Sequence, residues 1–334
     1  MKPKLDFYDV LIVGAGPSGI FTAYEAKKNN PALRILMIEK GRSIEKRKCP
    51  KRITGVCADC EPCAITTGFS GSGSFSDGKL SVSYDGEVGG ELIRYIGPGP
   101  FRSVMQYTDD LYVGFGADPE VHGLISTPTI DQIRHKAAQA HLKLIESGVR
   151  HMGTEKAYDI YSRIQKALED LQIELCFNTI VEDFILEILP DGSQKIVGIV
   201  TDDGLNVYAE KVVVGIGREG SEWLSLLGRK YGIKAKVGQV DIGVRVETDA
   251  NITTEIDNSL YEAKLIYYTK TFEDRVRTFC WNPKGVVAEE KYGKLAVVNG
   301  HSYKDQSLKT RNTNFALLVS KTFTEPFNTP IEYG

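Results

Sequence analysis

Three glycines close to the N-terminus have the spacing of a dinucleotide-binding turn. Gly14-x-Gly16-x-x-Gly19 follows the apolar run Tyr8–Val13, and a second apolar run ends at Glu39, twenty residues after Gly19. In this pattern the first glycine permits a tight turn, the second lets backbone N–H groups approach a pyrophosphate, and the third lets a helix pack closely on a strand. The helix N-terminus favours the anion, and the acidic residue accepts hydrogen bonds from a ribose. The motif therefore predicts a bound dinucleotide, and Glu39 disfavours NADP because its charge repels a 2′-phosphate.

Four of the six cysteines form a second candidate site. They lie within fifteen residues in the pattern Cys49-x7-Cys57-x2-Cys60-x2-Cys63. Thiolates at these gaps suit an iron–sulfur cluster of the [4Fe-4S] type, whereas structural zinc usually takes two Cys-x2-Cys pairs with a longer spacer. An iron–sulfur cluster is therefore the first expectation and zinc the second, with a redox disulfide and unliganded thiols as alternatives.

Composition limits the classes of protein to which these motifs can belong. The chain has 334 residues, of which 42% are hydrophobic, and this suggests roughly two domains with ordinary cores. The near balance of 41 basic and 44 acidic residues argues against a nucleic-acid partner. No apolar run approaches the ~20 residues of a membrane-spanning helix, and residues 1–8 lack the apolar region of a secretory signal. We therefore expect a cytoplasmic protein, whose thiols stay reduced.

The elements that must position these motifs predict an α/β fold. After the first strand–helix–strand unit, residues 40–99 are rich in Gly, Ser, Cys and charged residues. This composition is typical of a long loop region that carries a functional site. Helices are predicted from Thr129 to Ser147 and over residues 155–171. The remaining predicted elements are strands at 173–177, 180–189, 196–201, 205–209 and 211–216, a helix at 221–231, and alternating strands from 233 to 323.

Several segments together resemble two-domain flavoproteins of the glutathione-reductase type. Residues 39–42 with Arg47 are similar to the loop after the second strand, and residues 68–79 to the glycine-rich segment that passes close to the flavin. The hairpins over residues 196–209, leading into residues 212–218, resemble the β-meander and the strand–glycine turn beside FAD. Residues 278–283 and 298–302 extend the similarity to a group of bacterial and archaeal FAD-dependent dehydrogenases. The motif alone does not separate FAD from NAD; the resemblance implies FAD and no particular substrate.

The resemblance also implies a set of cofactor-binding residues. They are Gly14, Gly16, Pro17, Ser18, Gly19, Glu39, Lys40, Arg42, Arg47, Gly71, Ser72, Gly73, Ser74, Asp77, Gly78, Lys79, Val181, Gly215, Gly217 and Arg218. Among them, Val181 matches the position whose backbone reads the adenine in such enzymes. Catalytic residues stay unknown: His301 could serve as a general acid or base and Cys280 is a second candidate, although a loop histidine and a strand cysteine are more often structural.

The expected architecture follows from the same resemblance. A Rossmann-like FAD-binding domain with a β-meander would comprise residues 1–85 and 131–231. A β-rich, mixed substrate or cap domain would comprise residues 86–130 and 232–334. Related flavoproteins close the FAD domain with a late strand and a glycine-rich helix start, and that segment is absent before Gly334. This favours a truncated chain over a flavin site completed in another way.

The sequence thus predicts an FAD-dependent oxidoreductase that passes a hydride or electrons between a small-molecule substrate and the flavin. If the cysteines hold a cluster, a one-electron route to ferredoxin or flavodoxin is reasonable, and NAD(P)H is a further candidate partner. Seven basic residues flank the cysteines: Lys40, Arg42, Lys46, Arg47, Lys48, Lys51 and Arg52. A solvated loop in which one or two of the arginines meet FAD phosphates is the simpler explanation, and docking of an acidic carrier is the alternative hypothesis. The alternative function is a non-catalytic nucleotide-binding module with a structural zinc site.

Overall fold

The computed structural model describes residues 3–75, 78–83, 92–123, 125–145, 147–235, 238–292 and 295–326. The strands are β1 (Phe7–Val13), β2 (Ile35–Glu39), β3 (Lys79–Val82), β4 (Lys143–Ile145), β5 (Gly148–His151), β6 (Glu174–Phe177), β7 (Val181–Ile188), β8 (Gln194–Thr201), β9 (Asn206–Val214), β10 (Val240–Asp249), β11 (Lys264–Tyr268), β12 (Arg275–Asn282), β13 (Val286–Tyr292), β14 (Leu295–His301) and β15 (Asn312–Lys321). The helices are α1 (Pro17–Asn29), α2 (Lys51–Thr54), α3 (Leu92–Ile96), α4 (Pro98–Gly114), α5 (Pro128–Gln139), α6 (Thr154–Asp170), α7 (Ser221–Lys230) and α8 (Ala250–Leu260). Short 3₁₀ helices occupy Ile44–Lys46, Gly73–Phe75 and Gln306–Leu308.

The first sheet has the strand order β6-β2-β1-β9-β8-β7. Its first four strands are parallel, and β9, β8 and β7 form an antiparallel meander. Both faces of the strand β1 are apolar because helices cover the sheet on both sides. Ile12 packs in a core with residues of α1 and α6, whereas Leu11 and Val13 pack in a second core that includes Leu227 of α7. Burial on both faces is typical of parallel strands between helices, and the predicted Rossmann-like α/β architecture with a β-meander is confirmed.

The second sheet is antiparallel, with the order β10-β15-β12-β11-β4. The helices α5 and α8 contribute to its core through Ile133 and Leu260, and the Trp281 ring stacks on Phe315 with centroids 4.3 Å apart. The additional β-rich part of the predicted fold is therefore present. Both α5 and β4 belong to this core, although the sequence-based division places residues 131–231 in the first domain.

A two-stranded ribbon connects the two sheets. In it β3 and β5 are antiparallel, with Lys79 opposite His151. Met152 N donates to Gly78 O at 2.6 Å, and the Lys79 ammonium donates to the Trp281 carbonyl of the second sheet. The ribbon therefore places the end of the glycine-rich segment against the second sheet.

Three predictions of local structure are wrong. The strands expected from 233 to 323 are interrupted by the helix α8. The helix expected from Thr129 to Ser147 begins at Pro128, with the hydroxyl of Thr127 accepting from Ile130 N at 3.3 Å, and it ends at Gln139. The chain then enters β4, because residues 143–145 pair with β11. The strands expected at 205–209 and 211–216 are the single strand β9, which pairs continuously with β1.

Candidate functional site

The turn between β1 and α1 is closed by contacts that only glycine permits. Gly14 has φ +100°, and a Cβ there would lie 2.4 Å from the carbonyl oxygen of Gly215. A Cβ at Gly19 would lie 2.1 Å from the Gly14 carbonyl oxygen. Bonds of 2.8 Å join Gly14 N to Ile38 O and Gly215 N to Val13 O. The turn is thus fixed to both neighbouring strands, and side chains at either glycine would force it open.

A cavity of about 550 Å³ opens at this turn, beside the carboxyl ends of β1, β2 and β9. Ligands of open α/β sheets bind at this edge, and the volume is in the range of small-molecule sites. The predicted residues that line it are Gly14, Gly16, Pro17, Ser18, Glu39, Lys40, Gly71, Ser72, Val181, Gly215, Gly217 and Arg218. Lining residues that the sequence analysis missed include Thr66, Thr67, Gly68, Thr179, Ile180, Glu219, Trp223 and Leu224.

The N-terminus of α1 faces this cavity without a side-chain cap. Gly16 is the N-cap residue and Pro17 is the first residue of the helix. The first turn of a helix carries unpaired N–H groups and the positive end of the helix dipole. A Cβ at Gly16 would meet its nearest atom only at 3.9 Å, and Gly71 lies close by, with its Cβ position 3.6 Å from Gly16 Cα. The two glycine segments therefore leave an open approach to the helix for an anion such as a pyrophosphate.

The carboxylate of Glu39 joins three loops at the cavity wall. Its Oε1 accepts hydrogen bonds from Gly41 N at 2.8 Å and Gly68 N at 3.0 Å, and its Oε2 accepts one from Ala15 N at 2.8 Å. The residue is 7% exposed. A carboxylate has about four acceptor positions, so Glu39 holds the glycine turn in place and can still accept from a ribose hydroxyl.

Arg47, which the sequence analysis places among the cofactor contacts, organises the loop behind the cavity. Its Nη1 donates to the carbonyls of Phe69 and Gly71, each at 2.6 Å, and its Nη2 donates to those of Ala64 and Ile65 at 2.9 and 2.8 Å. The side chain is buried and does not line the cavity. Its charge therefore fixes the glycine-rich segment through neutral backbone acceptors and does not contact the cavity directly.

The remaining predicted residues lie away from the cavity lining or at its back. Gly19, Arg42, Gly73, Ser74, Gly78 and Lys79 are described outside the lining, and Asp77 lies outside the described residues. Gly73 makes room for a neighbouring ring, because a Cβ there would lie 2.6 Å from the Tyr161 hydroxyl. Lys79 is buried, with its ammonium 2.9 Å from Glu262. Burial raises the pKa of Glu262, but the charges of Lys79 and Lys264 outweigh it and lower that pKa to about 2.

Two residues that the sequence analysis missed shape the cavity beyond the glycine turns. Glu219 follows β9, and its carboxylate lies 2.7 Å from the ammonium of Lys40, which follows β2. Trp223 donates from its indole N–H to the Glu182 carbonyl at 2.8 Å, and its ring packs edge-on against Phe184. Trp223 thus presents a fixed aromatic surface beside Val181. The sequence signal that could have identified Trp223 as a cavity residue is its position six residues after Gly217.

The described residues do not gather the four cysteines of the predicted metal site into one group. Within the described residues, which include all six cysteines, no group of three or more His, Cys, Asp or Glu side chains is close enough to hold a metal ion. Cys57 and Cys60 are exposed, and Cys49 and Cys63 are half-buried. Residues 55–66 contain neither strand nor helix.

The two catalytic candidates lie in the second sheet and its hairpin. Among the residues described around the cavity, neither Cys280 nor His301 contributes to the lining. Cys280 has φ +47° at an irregularity of β12, and its thiol donates to Asn299 Oδ1 at 3.2 Å. His301 is 5% exposed at the end of β14. Both stay candidates without a demonstrated contact to the cavity.

Comparison with known proteins gives distant structural likeness. No protein-family model and no curated protein matches the chain. It is similar to THI4 of Thermovibrio ammonificans, with 17% identity over 68% of this chain and 64% of that chain and a TM-score of 0.38. It is also similar to L-amino acid deaminase from Proteus vulgaris (14% identity, 74% and 55% coverage, TM-score 0.41) and glycine oxidase from Geobacillus kaustophilus (15%, 98% and 85%, 0.41). The chain spans less than two thirds of the first two, and at these identities and TM-scores the likenesses do not bear on its activity.

None of the described helices combines the length and the apolar composition needed to cross a bilayer.

Proposed function

We propose that the chain binds FAD in the cavity at the β1–α1 turn and acts as an FAD-dependent oxidoreductase. The observation that supports this is the convergence of three glycine turns, at Gly14–Gly16, Gly71 and Gly215–Gly217, around the uncapped N-terminus of α1. Such a site offers backbone N–H groups to a pyrophosphate and no side chain that blocks it.

The residues of the cavity suit the parts of the dinucleotide. The N-terminus of α1 would hold the pyrophosphate, and the Glu39 carboxylate would accept hydrogen bonds from a ribose. Val181 and Trp223 would hold the adenine, since an aromatic face and a backbone edge both lie there. FAD, when bound, supplies two-electron chemistry, and the protein supplies binding and orientation.

The proposed substrate is a small molecule, and the proposed electron partner is NAD(P)H or a carrier such as ferredoxin or flavodoxin. The basic residues around Arg42 and Lys46 are the surface on which an acidic carrier would dock. Anaerobic mixing of the reconstituted protein with each reduced partner, followed by flavin absorbance, identifies the donor. A cluster on the four cysteines is not included, because the structure does not bring these thiols together.

FAD binding is tested with a glycine pair chosen from the structure. Gly16→Ala adds a methyl group that has space in the protein but points to the approach of the pyrophosphate; Gly228→Ala, on α7, adds one where nothing lies within 4 Å. We expect the wild-type chain and Gly228→Ala to take up FAD with its paired visible bands, and Gly16→Ala to bind at least about 10-fold more weakly. A colourless protein that binds ADP and zinc but no FAD would support the non-catalytic module instead.

A further inference from the structure

Three side chains form a closed hydrogen-bonded triangle where the β3–β5 ribbon meets the second sheet. The Tyr261 hydroxyl is 2.8 Å from His151 Nε2 and 2.8 Å from the Ser302 hydroxyl, and the Ser302 hydroxyl is 3.2 Å from His151 Nε2. His151 ends β5, Tyr261 follows α8, and Ser302 follows β14. Each of these atoms can donate or accept a proton, so a proton can pass among them without movement of the backbone.

The triangle is enclosed and held in an unusual geometry. Ser302 is 0% exposed and His151 is 3% exposed. Tyr261 has φ +60° and ψ −50°, a conformation that a bulky residue rarely adopts. Its ring packs against two imidazoles, with centroid distances of 4.3 Å to His151 and 5.4 Å to His122. Strain of this kind is typical of sites where a side chain must be held in one position.

Two further titratable groups lie beside the triangle. The His122 ring stacks on the Tyr261 ring, and its Nδ1 is 3.6 Å from the carboxylate of Glu120. The Glu120 side chain is 66% exposed and that of His122 is 28% exposed. The Tyr261 ring therefore contacts two imidazoles, that of the buried His151 and that of the half-buried His122.

The triangle also lies at the end of the segment that begins in the proposed flavin site. Ser72 lines the cavity, and the chain continues through the 3₁₀ helix Gly73–Phe75 to β3, where Lys79 is opposite His151. Glu262, next to Tyr261 in the sequence, binds Lys79 at 2.9 Å. The segment 261–262 therefore ties this end of the glycine-rich segment to the second sheet, and sites between packed units are common places for substrates.

We propose that His151 is the proton donor and acceptor of the redox reaction, positioned by Tyr261 and Ser302; this rests on the proposed function. The substrate class is a molecule with a hydroxyl or amino group on the carbon that is oxidised. Its C–H bond breaks and the hydrogen leaves with the electron pair to FAD, while its O–H or N–H bond breaks and the proton goes to His151. The C–O or C–N single bond becomes a double bond. Histidine suits both directions because its unperturbed pKa is about 6.5.

The described elements around the triangle carry several charged groups. They are Lys79 on β3, Glu262 and Lys264 before and in β11, Arg150 on β5 with Asp109 of α4, and Glu120 with His122. Lys79 and Arg150 each have a carboxylate partner, at 2.9 and 2.5 Å. Each of these two buried cations therefore faces a carboxylate, and the hydroxyls of Tyr261 and Ser302 are hydrogen-bond partners of the imidazole Nε2.

The first test uses oxygen as a probe, because it needs no identified substrate. The FAD-loaded protein is reduced with dithionite and mixed with O₂ between about pH 5.5 and 9. Each O₂ takes two electrons and one proton from the reduced flavin and a second proton from an acid, giving hydrogen peroxide. We expect an inflection in the reoxidation rate that disappears in His151→Gln, with a fall of about 10-fold or more. In Tyr261→Phe, which keeps the ring but loses the hydroxyl, we expect the inflection to move.

The control is His135→Gln, an exposed histidine on α5 whose imidazole contacts Gln139. This variant should retain the wild-type profile. All variants should keep the FAD spectrum, which shows that the fold and the cofactor site are intact. A His151→Gln protein that binds FAD and keeps the wild-type pH profile overturns the proposal and leaves the proposed function untouched. If His151→Gln does not fold, Tyr261→Phe and Ser302→Ala decide the same question.

A second readout is independent of the flavin. The five histidines are assigned in NMR spectra of the flavin-free protein by single His→Gln substitutions, and each is titrated. Loss of the Tyr261 hydroxyl should shift the titration midpoint of His151 and leave that of His135 unchanged. Identical His151 midpoints in the wild type and in Tyr261→Phe would overturn the triangle as a coupled unit. Failure of every variant and of the wild type to bind FAD would instead refute the proposed function.

Discussion

The glycine turn at Gly14 and the cysteine loop at Cys57 are the two densest motifs in the first 80 residues, and the structure treats them differently. The turn is fixed from both sides by backbone hydrogen bonds of 2.8 Å and opens into a cavity. The loop has no strand or helix over residues 55–66, and its thiols do not converge on a metal position. The glycine motif is thus held by main-chain contacts with the neighbouring strands, whereas a motif made of side-chain ligands depends on how the side chains are arranged.

The largest effect is expected from adding a side chain at the glycine turn. Gly14→Ala places a Cβ 2.4 Å from the Gly215 carbonyl oxygen at φ +100°, and we expect it to lower the free energy of unfolding by several kcal/mol and to abolish FAD binding. Gly204→Ala is the matched control, with φ +78° but nothing within 4 Å, and should cost about 1 kcal/mol. Urea unfolding and FAD titration measure both. Equal losses in the two variants would show that φ alone, and not the contact with Gly215, restricts Gly14.

Next in size is the loss of the buried guanidinium behind the turn. Arg47→Lys keeps the charge but cannot reach the four carbonyls that Arg47 bonds, so we expect a loss of about 3 kcal/mol in unfolding free energy. FAD affinity should fall with it, because Gly71 is among the partners. Arg34→Lys, at an exposed pair with Asp9, should change stability by less than about 1 kcal/mol. A stable Arg47→Lys protein with weakened FAD binding alone would place Arg47 at the cofactor.

A smaller effect is expected from neutralising Glu39, the acid that joins the loops. In Glu39→Gln one oxygen becomes an NH₂ group that faces the backbone N–H groups now bound by the carboxylate. We expect a loss of about 1–3 kcal/mol in stability and at least about 10-fold weaker FAD binding. Glu187→Gln, exposed on β7, is the control. Unchanged FAD affinity in Glu39→Gln would exclude a ribose contact.

The position of the adenine can be tested by tryptophan fluorescence, in variants whose stability should change little. The chain has two tryptophans: Trp223 lines the cavity, whereas Trp281 is stacked on Phe315 in the second sheet. In Trp281→Phe, ADP should quench the remaining emission, and in Trp223→Phe it should not. ADP binding that leaves Trp223 emission unchanged would move the adenine away from this wall.

The smallest effect is expected in the cysteine loop. Cys57→Ser and Cys60→Ser should alter the unfolding free energy by no more than about 0.5 kcal/mol, as surface substitutions usually do, and leave the FAD spectrum unchanged. Cys176→Ser, at a position 1% exposed in the core of the first sheet, should be clearly more destabilising. Iron or zinc in the purified wild-type protein, lost in the loop variants, would contradict the structure and restore the four-cysteine site.

Sequence reasoning performed well where residues act on near neighbours. The strand–turn–helix unit, the acid at the end of β2 and the meander over β7–β9 were all predictable, because apolar runs and glycine spacing report local backbone requirements. It failed for residues 129–147, where a strand pairing with β11 ends the helix early. It also did not show that the Arg47 guanidinium is surrounded by backbone carbonyls, because such contacts join residues that lie well apart along the chain.

The sequence by itself determined the Rossmann-like architecture and the position of the dinucleotide turn, because steric limits on backbone conformation act within a few residues. Only the tertiary structure decided which side chains meet. His151, Tyr261 and Ser302 are separated by 110 and 41 residues along the chain and come together because the ribbon packs on the second sheet. Such contacts depend on the packing of whole elements, and no local pattern in the sequence encodes them.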